Sequence, residues 1–120
     1  MRFLSIYTAK ESNRHPSPEH MAAMGKLIEE GMREGHLLGT EGCLPTALGA
    51  RIRVTNGQFT VKDGPFAESK EVVGGFALIE AKSKEEAIEF VKGFLNVVGE
   101  GECEVRQLYE APAVAGAGSN

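Results

Sequence analysis

The chain has 120 residues, 42% of them hydrophobic and 25% charged, which is typical of one soluble globular domain. This composition excludes an intrinsically disordered chain, and the apolar stretches are too short to cross a membrane. Thirteen basic and seventeen acidic residues give a net charge of -4, so we expect no nucleic-acid partner. The first residues lack the apolar stretch of a signal peptide, which predicts a cytoplasmic protein.

The first part of the chain predicts a strand, a helix and a second strand. Residues 2–8 are β-branched, aromatic and apolar without a helical period, and a polar loop follows them. Ser17 and Pro18 then form a helix start, because Ser caps free amides and Pro needs no amide partner in the first turn. Apolar residues recur every three or four positions up to Gly35, which predicts an amphipathic helix. Residues 36–49 predict a short, irregular strand.

A β-hairpin is predicted over residues 51–62, because Asn56-Gly57 lies between two alternating runs. A two-residue turn places four apolar side chains on one face: Ile52, Val54, Phe59 and Val61. The opposite face is cationic, through Arg51, Arg53 and Lys62. This strip is typical of a solvated sheet face, with an anion site as the alternative.

The second part of the chain predicts a strand, a helix and a last strand. Residues 72–81 are almost continuously apolar, and Gly74-Gly75 permits a bulge. A capping box at residues 83–86 begins the second helix, and residues 101–110 alternate as the last strand. Residues 111–120 are interpreted as a flexible tail outside the domain of residues 1–110. The element order is that of an α+β, ferredoxin-like β-α-β-β-α-β fold with an extra hairpin.

Two helices can cover only one face of such a sheet. The strand at residues 72–81 is apolar on both sides, so its uncovered face is unsuited to water. We therefore expect a homodimer in which the two copies pair sheet against sheet and cover this face.

The sequence shows no metal or cofactor signature. Cys43 and Cys103 form no CxxC pair, and both are expected to be reduced and structural. The glycine-rich patterns of nucleotide sites and the serine-hydrolase elbow do not occur. Neither a metal nor a cofactor is therefore expected.

Residues 63–71 read DGPFAESKE and contain more charge than a turn requires. Gly64-Pro65 predicts a sharp turn after a strand, and Phe66 is expected to anchor the loop by burying its ring. Turn formation does not explain the four ionisable residues of this segment: Asp63, Glu68, Lys70 and Glu71.

This string resembles the DGPF motif, usually DGPFAE followed by Ser or Thr and then KE, of a bacterial family in the YCII-related superfamily. Similar segments, such as SPEHMAAMGKLIEEG and GECEVRQLYE, extend the resemblance over about residues 1–110. It implies a ferredoxin-like domain that forms a dimeric α+β barrel. The wider group is similar to small enzymes with a His and Asp pair whose His lies on the first helix, where this chain has His20. Such proteins are also encoded near extracytoplasmic-function sigma factors, which implies a regulatory setting.

The catalytic candidates are His20, Asp63 and Glu68. His20 lies in the first helical turn, where the helix dipole disfavours protonation and keeps the imidazole available as a base. Asp63 and Glu68 are interpreted either as paired carboxylates or, equally, as part of a loop network in which Lys70 neutralises Glu68 or Glu71. The candidates for ligand binding are Tyr7, His15, Arg51, Arg53, Phe66, Lys70 and Glu71.

Two functions fit these observations. The first is a homodimer that binds a small organic molecule between the sheet and the first helix, with cofactor-free acid/base chemistry by His20, Asp63 and Glu68. The alternative is a non-catalytic regulatory or protein-interaction module linked to an extracytoplasmic-function sigma factor.

Overall fold

The computed structural model describes residues 1–12, 16–66 and 68–110, and this part of the chain forms two helices and six strands. In chain order the elements are β1 (Arg2–Ala9), α1 (Pro18–Glu34), β2 (Leu37–Gly42), β3 (Ala50–Thr55), β4 (Gln58–Asp63), β5 (Val72–Glu80), α2 (Lys84–Val98) and β6 (Glu102–Gln107). A short 3-10 helix at Thr46–Leu48 precedes β3. The predicted α+β class and element order are confirmed. His15 and the predicted tail at residues 111–120 lie outside the described residues.

Four strands form an antiparallel sheet in the order β2-β5-β1-β6, which is the ferredoxin-like arrangement. Tyr7 pairs with Gly75 and Thr8 with Val73, so Gly74 has no partner on β1. This irregularity is the bulge that the Gly74-Gly75 pair predicts.

Both helices begin at serine caps and end at glycines. The Ser17 hydroxyl accepts a hydrogen bond from the His20 amide at 3.1 Å, and Ser83 accepts one from the Glu86 amide at 3.1 Å. Gly35 and Gly99 both have φ of 85°, the left-handed conformation that favours glycine at a helix end. These local signals fix the helices that cover one face of the sheet.

The core lies between α2 and that face of the sheet. Phe3 and Ile79 are 1% exposed and pack against Ala87 and Val91 of α2. Successive side chains of a strand point to opposite faces, so Leu4 and Ile6 lie on the other face, which we call the open face. Their partners Leu78 and Phe76 share it.

The hairpin of β3 and β4 forms a separate two-stranded sheet. Its predicted register is confirmed, since Ile52 pairs with Val61 and Val54 with Phe59. These four apolar side chains are each more than half exposed. We call residues 43–66, which contain this hairpin and the 3-10 helix, the arm.

Helices that could span a membrane are absent from the described part of the chain, where none is both long and apolar enough.

Candidate functional site

A cavity of about 550 Å³ lies between the sheet and the two helices. Strands β1, β2, β5 and β6 line one side of it, and helices α1 and α2 line the other. The large apolar side chains of its wall are Met24, Leu27, Ile28, Leu37, Ile79, Phe90, Val91, Phe94 and Val98. A space of this size and lining is suited to a small organic ligand.

A few polar side chains interrupt this apolar wall. Ser5 is buried, and it lies between Phe3 and Tyr7 on the face of β1 that the helices cover. On β2, the Thr40 hydroxyl donates a hydrogen bond to the Phe76 carbonyl at 2.8 Å. Sparse polar groups in an apolar wall orient a ligand rather than provide most of its binding energy.

Tyr7 is held on several sides. Its hydroxyl donates to the Glu100 carbonyl at 2.8 Å, and its ring meets Phe94 edge to face at 5.2 Å between centroids. A Cβ on Gly101 would lie 2.5 Å from the ring and one on Gly74 would lie 3.0 Å from it, so the ring fills the space that these glycines leave. The Tyr7 ring is therefore a fixed part of the cavity wall.

Burial raises the pKa of Tyr7 above its ordinary value of 10.0, and the negative charges of Glu100 and Glu71 act in the same direction. Tyr7 is therefore a neutral hydroxyl at physiological pH. Glu71 ends the DGPF segment, so its effect on Tyr7 connects that segment electrostatically to the cavity.

The two cysteines lie in different surroundings. Burial raises the pKa of Cys103, which lines the cavity, and a hydrogen bond with Ser5 acts in the opposite direction. Cys103 is therefore a neutral thiol at pH 7, which gives it little nucleophilic character. Cys43 is free and exposed at the start of the arm, whereas Cys103 is free and partly buried.

The DGPF loop is held against the arm by charge and by ring packing. Glu68 pairs with Lys62, and its carboxylate lies 3.5 Å from the Arg51 guanidinium. The Arg51 guanidinium also lies over the Phe66 ring, 3.9 Å from its centroid. The hydrogen bond from Lys62 is the main cause that lowers the pKa of Glu68 below its ordinary value of 4.5.

Thr46 connects the loop to the end of β1. Its amide and hydroxyl donate to the two carboxylate oxygens of Glu11 at 2.6 and 2.8 Å, and its hydroxyl accepts from the Phe66 amide at 3.1 Å. Gly64 packs so closely that an added Cβ would lie 1.7 Å from the Thr46 carbonyl oxygen. The DGP turn therefore requires glycine at position 64 for lack of space.

The predicted site residues fall into two groups. Tyr7 lines the cavity. Arg51, Phe66 and Glu68 come together at the DGPF loop, where Phe66 is buried as expected. The remaining predicted site residues within the described part of the chain do not belong to the described lining of the cavity: His20, Arg53, Asp63, Lys70 and Glu71.

The catalytic candidates are exposed. His20 is exposed in the first turn of α1, Asp63 is exposed at the end of β4, and Glu68 faces the hairpin cations. The expectation that His20, Asp63 and Glu68 share the pocket between sheet and first helix is therefore corrected for the single chain. The loop-network interpretation of Glu68 agrees with the structure, but its partners are Lys62 and Arg51 rather than Lys70.

Residues 1–112 match the YCII-related domain family. The chain belongs to this family. It is 36% identical over 102 residues to an uncharacterised protein of Rhizobium meliloti (strain 1021), covering 83% of this chain and 78% of that protein. The predicted resemblance to the YCII-related superfamily is thereby confirmed.

A solved structure shares the fold of this YCII-related protein. It is a 5-chloro-2-hydroxyhydroquinone dehydrochlorinase from Burkholderia phenoliruptrix AC1100 in complex with 2,5-dihydroxybenzoquinone. The two chains are 19% identical with a TM-score of 0.56, and the match covers 93% of this chain and 97% of the other. At this identity the similarity shows the α+β fold alone.

Four polar residues of this YCII-related chain were not among the sequence candidates. Two of them line the cavity and two hold the DGPF loop: Ser5 and Thr40, and Glu11 and Thr46. The alternation of Phe3, Ser5 and Tyr7 along β1 is a signal that could have identified Ser5. Glu11 and Thr46 are 35 positions apart, and no local pattern indicates their contact.

Groups of three or more His, Cys, Asp or Glu side chains that could hold a metal are absent from residues 1–12, 16–66 and 68–110.

Proposed function

We propose that this protein is a cytoplasmic homodimer that binds a small, largely apolar organic molecule in the cavity between the sheet and the helices. The observation that carries this proposal is the cavity itself. Its volume of about 550 Å³ lies in the range of small-molecule sites, and its wall is apolar and aromatic with few polar groups.

The wall favours an uncharged ring compound. Phe90 and Phe94 offer aromatic surface, and Ser5, Tyr7 and Thr40 offer hydroxyl groups. The Tyr7 and Cys103 side chains are neutral at pH 7, because burial raises the pKa of both. A ligand with one ring and one or two hydroxyl or carbonyl groups suits this environment. The ring ligand of the dehydrochlorinase with the same fold carries two hydroxyl and two carbonyl groups and is ionised at pH 7, so it serves as the charged comparison.

The homodimer follows from the open face. Leu4, Ile6, Phe76 and Leu78 lie there, and Phe76 is 39% exposed. A sheet with helices on one side needs cover on the other when that side is apolar. A second copy of the chain provides such cover with a self-complementary, two-fold contact.

Acid/base catalysis is a separate part of the proposal. His20, Asp63 and Glu68 lie outside the described lining of the cavity in a single chain, so ligand binding does not depend on them. If they act on the ligand, the variants His20→Gln and Asp63→Asn will lower turnover while leaving the dissociation constant within about threefold. The link to a sigma factor has no observation in its favour among the described residues.

The test is a thermal-shift screen of uncharged phenols, quinones and hydroquinones, beginning with hydroquinone. A ligand that binds only the folded state stabilises it by about 2.7 kcal/mol at 100 times its dissociation constant, which raises Tm by several degrees. Met24→Trp places a larger side chain in the cavity wall and is expected to remove the shift. Met21→Trp is the matched control, because Met21 is 62% exposed on the same helix and is not part of the described wall.

Loss of the shift in Met24→Trp with its retention in Met21→Trp supports the cavity as the site. If neither variant changes the shift, the ligand lies elsewhere. If broad libraries produce no shift and a sigma factor co-purifies with the protein, the regulatory alternative replaces this proposal.

A further inference from the structure

The three hydroxyl side chains of the cavity stand together on its sheet wall. Thr40 of β2 and Ser5 of β1 both pair with Ala77 of β5. Tyr7 pairs with Gly75 in the next row of the same face. Residues paired across neighbouring strands point to the same face, so small residues separate the three hydroxyl groups. A ligand in the cavity therefore meets its polar partners on one side.

Two of these hydroxyl groups use their proton within the protein. The Tyr7 hydroxyl donates to the Glu100 carbonyl at 2.8 Å, and the Thr40 hydroxyl donates to the Phe76 carbonyl at 2.8 Å. A hydroxyl has one proton to donate and two lone pairs that accept. Towards a ligand, Tyr7 and Thr40 can therefore act only as acceptors.

The third hydroxyl group, that of Ser5, is engaged with a thiol. Burial raises the pKa of Cys103, and the hydrogen bond with Ser5 acts against that rise. A donor to sulfur stabilises the thiolate, which identifies Ser5 as the donor of this bond. The Ser5 oxygen, like the other two, is left to accept.

The rest of the described lining offers a ligand no strong side-chain donor. Lys, Arg, His, Asn and Gln are absent from it, and its one carboxylate is Glu41. A carboxylate only accepts hydrogen bonds and repels an anion. A ligand whose polar atoms only accept would leave water without replacing its hydrogen bonds, which costs binding energy.

We propose that the cavity selects neutral ring compounds that donate a hydrogen bond, such as phenols and arylamines, over ethers and ketones of the same size, and that Tyr7 and Thr40 are the accepting residues. The hydroxyl or amine of such a ligand meets an oxygen lone pair, whereas an ether or carbonyl oxygen meets a second acceptor. A site built for a hydrogen bond rejects a ligand that cannot make it, because its buried polar groups are then left unpaired. This inference rests on the proposed function and narrows its ligand class.

The test compares two isomers, 4-methylphenol and anisole, which contain the same atoms but differ in that only the phenol can donate. NMR titration at the amides of Gly74 and Gly75 in the cavity wall gives a dissociation constant for each compound. We expect 4-methylphenol to bind at least about fivefold more tightly, since one net hydrogen bond separates the two. Acetophenone, a ketone, should resemble anisole.

Two variants identify the accepting residues. Thr40→Val and Tyr7→Phe each remove one hydroxyl with little change of shape. At least one of them is expected to bring the two isomers within about twofold of each other, through weaker binding of 4-methylphenol. Thr8→Val is the matched control, because Thr8 pairs with Val73 in the same sheet, lies outside the described lining and should keep the preference. Circular dichroism confirms folding, and the wild-type comparison of isomers decides the selectivity if a variant does not fold.

The outcomes separate this inference from the proposed function. Equal binding of the two isomers at Gly74 and Gly75 would overturn the inference and leave the cavity as the ligand site. A preference that persists in both Thr40→Val and Tyr7→Phe would also overturn it, because other groups would then accept from the ligand. If neither isomer nor toluene moves the Gly74 and Gly75 amides, the proposed function fails and the inference fails with it.

Discussion

The cavity and the arm hold their polar groups in opposite ways. In the cavity, packing and backbone contacts fix Tyr7, because Gly74 and Gly101 flank its ring and the Glu100 carbonyl accepts from its hydroxyl. In the arm and the adjoining loop, side chains hold one another at the surface, as Glu68 does with Lys62 and Arg51. The segment with the densest charge is therefore engaged in its own contacts, while the cavity lies where the sequence is mostly apolar.

The largest expected effect comes from Gly64→Ala in the DGPF loop. The added Cβ would lie 1.7 Å from the Thr46 carbonyl oxygen, so the backbone must move. We expect opening of the loop to become easier by at least about 3 kcal/mol. Amide hydrogen exchange at Phe66, whose amide donates to Thr46, measures this change. Gly49→Ala is the control, because its Cβ would meet the same carbonyl at an ordinary 3.6 Å.

Protection of the β1 and β5 amides should be unchanged in Gly64→Ala, since those strands belong to the other sheet. A global loss of protection would show that the two regions are not independent.

The next largest effect is expected for Gly101→Ala at the cavity. This residue has a φ of 105°, and an added Cβ would lie 2.5 Å from the Tyr7 ring. We expect the free energy of unfolding to fall by about 2 to 4 kcal/mol, from backbone strain and displacement of the ring. Gly99→Ala separates the two causes, since Gly99 has a φ of 85° but no atom within 4 Å of an added Cβ. It should cost about 1 kcal/mol, and equal losses in both variants would remove the ring contact from the explanation.

The two cysteines provide a chemical comparison of the regions. Cys43 is exposed in the arm, whereas burial raises the pKa of Cys103 in the cavity wall. Iodoacetamide at mildly alkaline pH should therefore alkylate Cys43 at least about tenfold faster than Cys103, as followed by mass spectrometry. Cys43→Ser provides the control for the Cys103 rate. Faster alkylation of Cys103 would mean that the cavity is more open than the structure shows.

The smallest effect is expected for Glu68→Gln. The pKa of Glu68 is lowered in the folded state, so its stabilisation is present above the ordinary value of 4.5 and is lost as the pH falls through the lowered value. The variant should show slightly weaker protection at Phe66 than the wild type at pH 7, and the difference should vanish in acid. Glu71→Gln, in the same segment, is the control. A difference that persists at low pH would exclude the charge pairs with Lys62 and Arg51 as its cause.

Local signals explain why the fold could be predicted. Serine caps, glycine stops and the Asn56-Gly57 turn act within a few residues, and each specifies an element or a register. The sequence predicts which residues of the hairpin pair with each other, but not whether the hairpin joins the main sheet. The separation of the hairpin from that sheet could therefore not be predicted. The partner of Glu68 could not be predicted either, since Lys70 is closer in sequence and Lys62 is brought near by the fold of the loop.

The candidate site was predicted only in outline for a similar reason. Tyr7 could be placed between the sheet and the helices from the pattern of β1 alone. The wall of the cavity combines residues from two helices and four strands, and its shape depends on their packing rather than on any motif. The ionisable residues of the DGPF segment predicted a catalytic and ligand-binding site there. The structure shows charge pairs and a buried Phe66 in that segment instead.

Mapping of amide chemical shifts by NMR tests most directly whether the cavity, rather than the DGPF loop, holds the ligand. The titrant is the compound that gives the largest thermal shift. We expect the amides of Gly74 and Gly75 in the cavity wall to move, while those of Gly64 and Phe66 remain in place. Movement of Gly64 and Phe66 without change at Gly74 and Gly75 would place the ligand at the loop and contradict the proposed function.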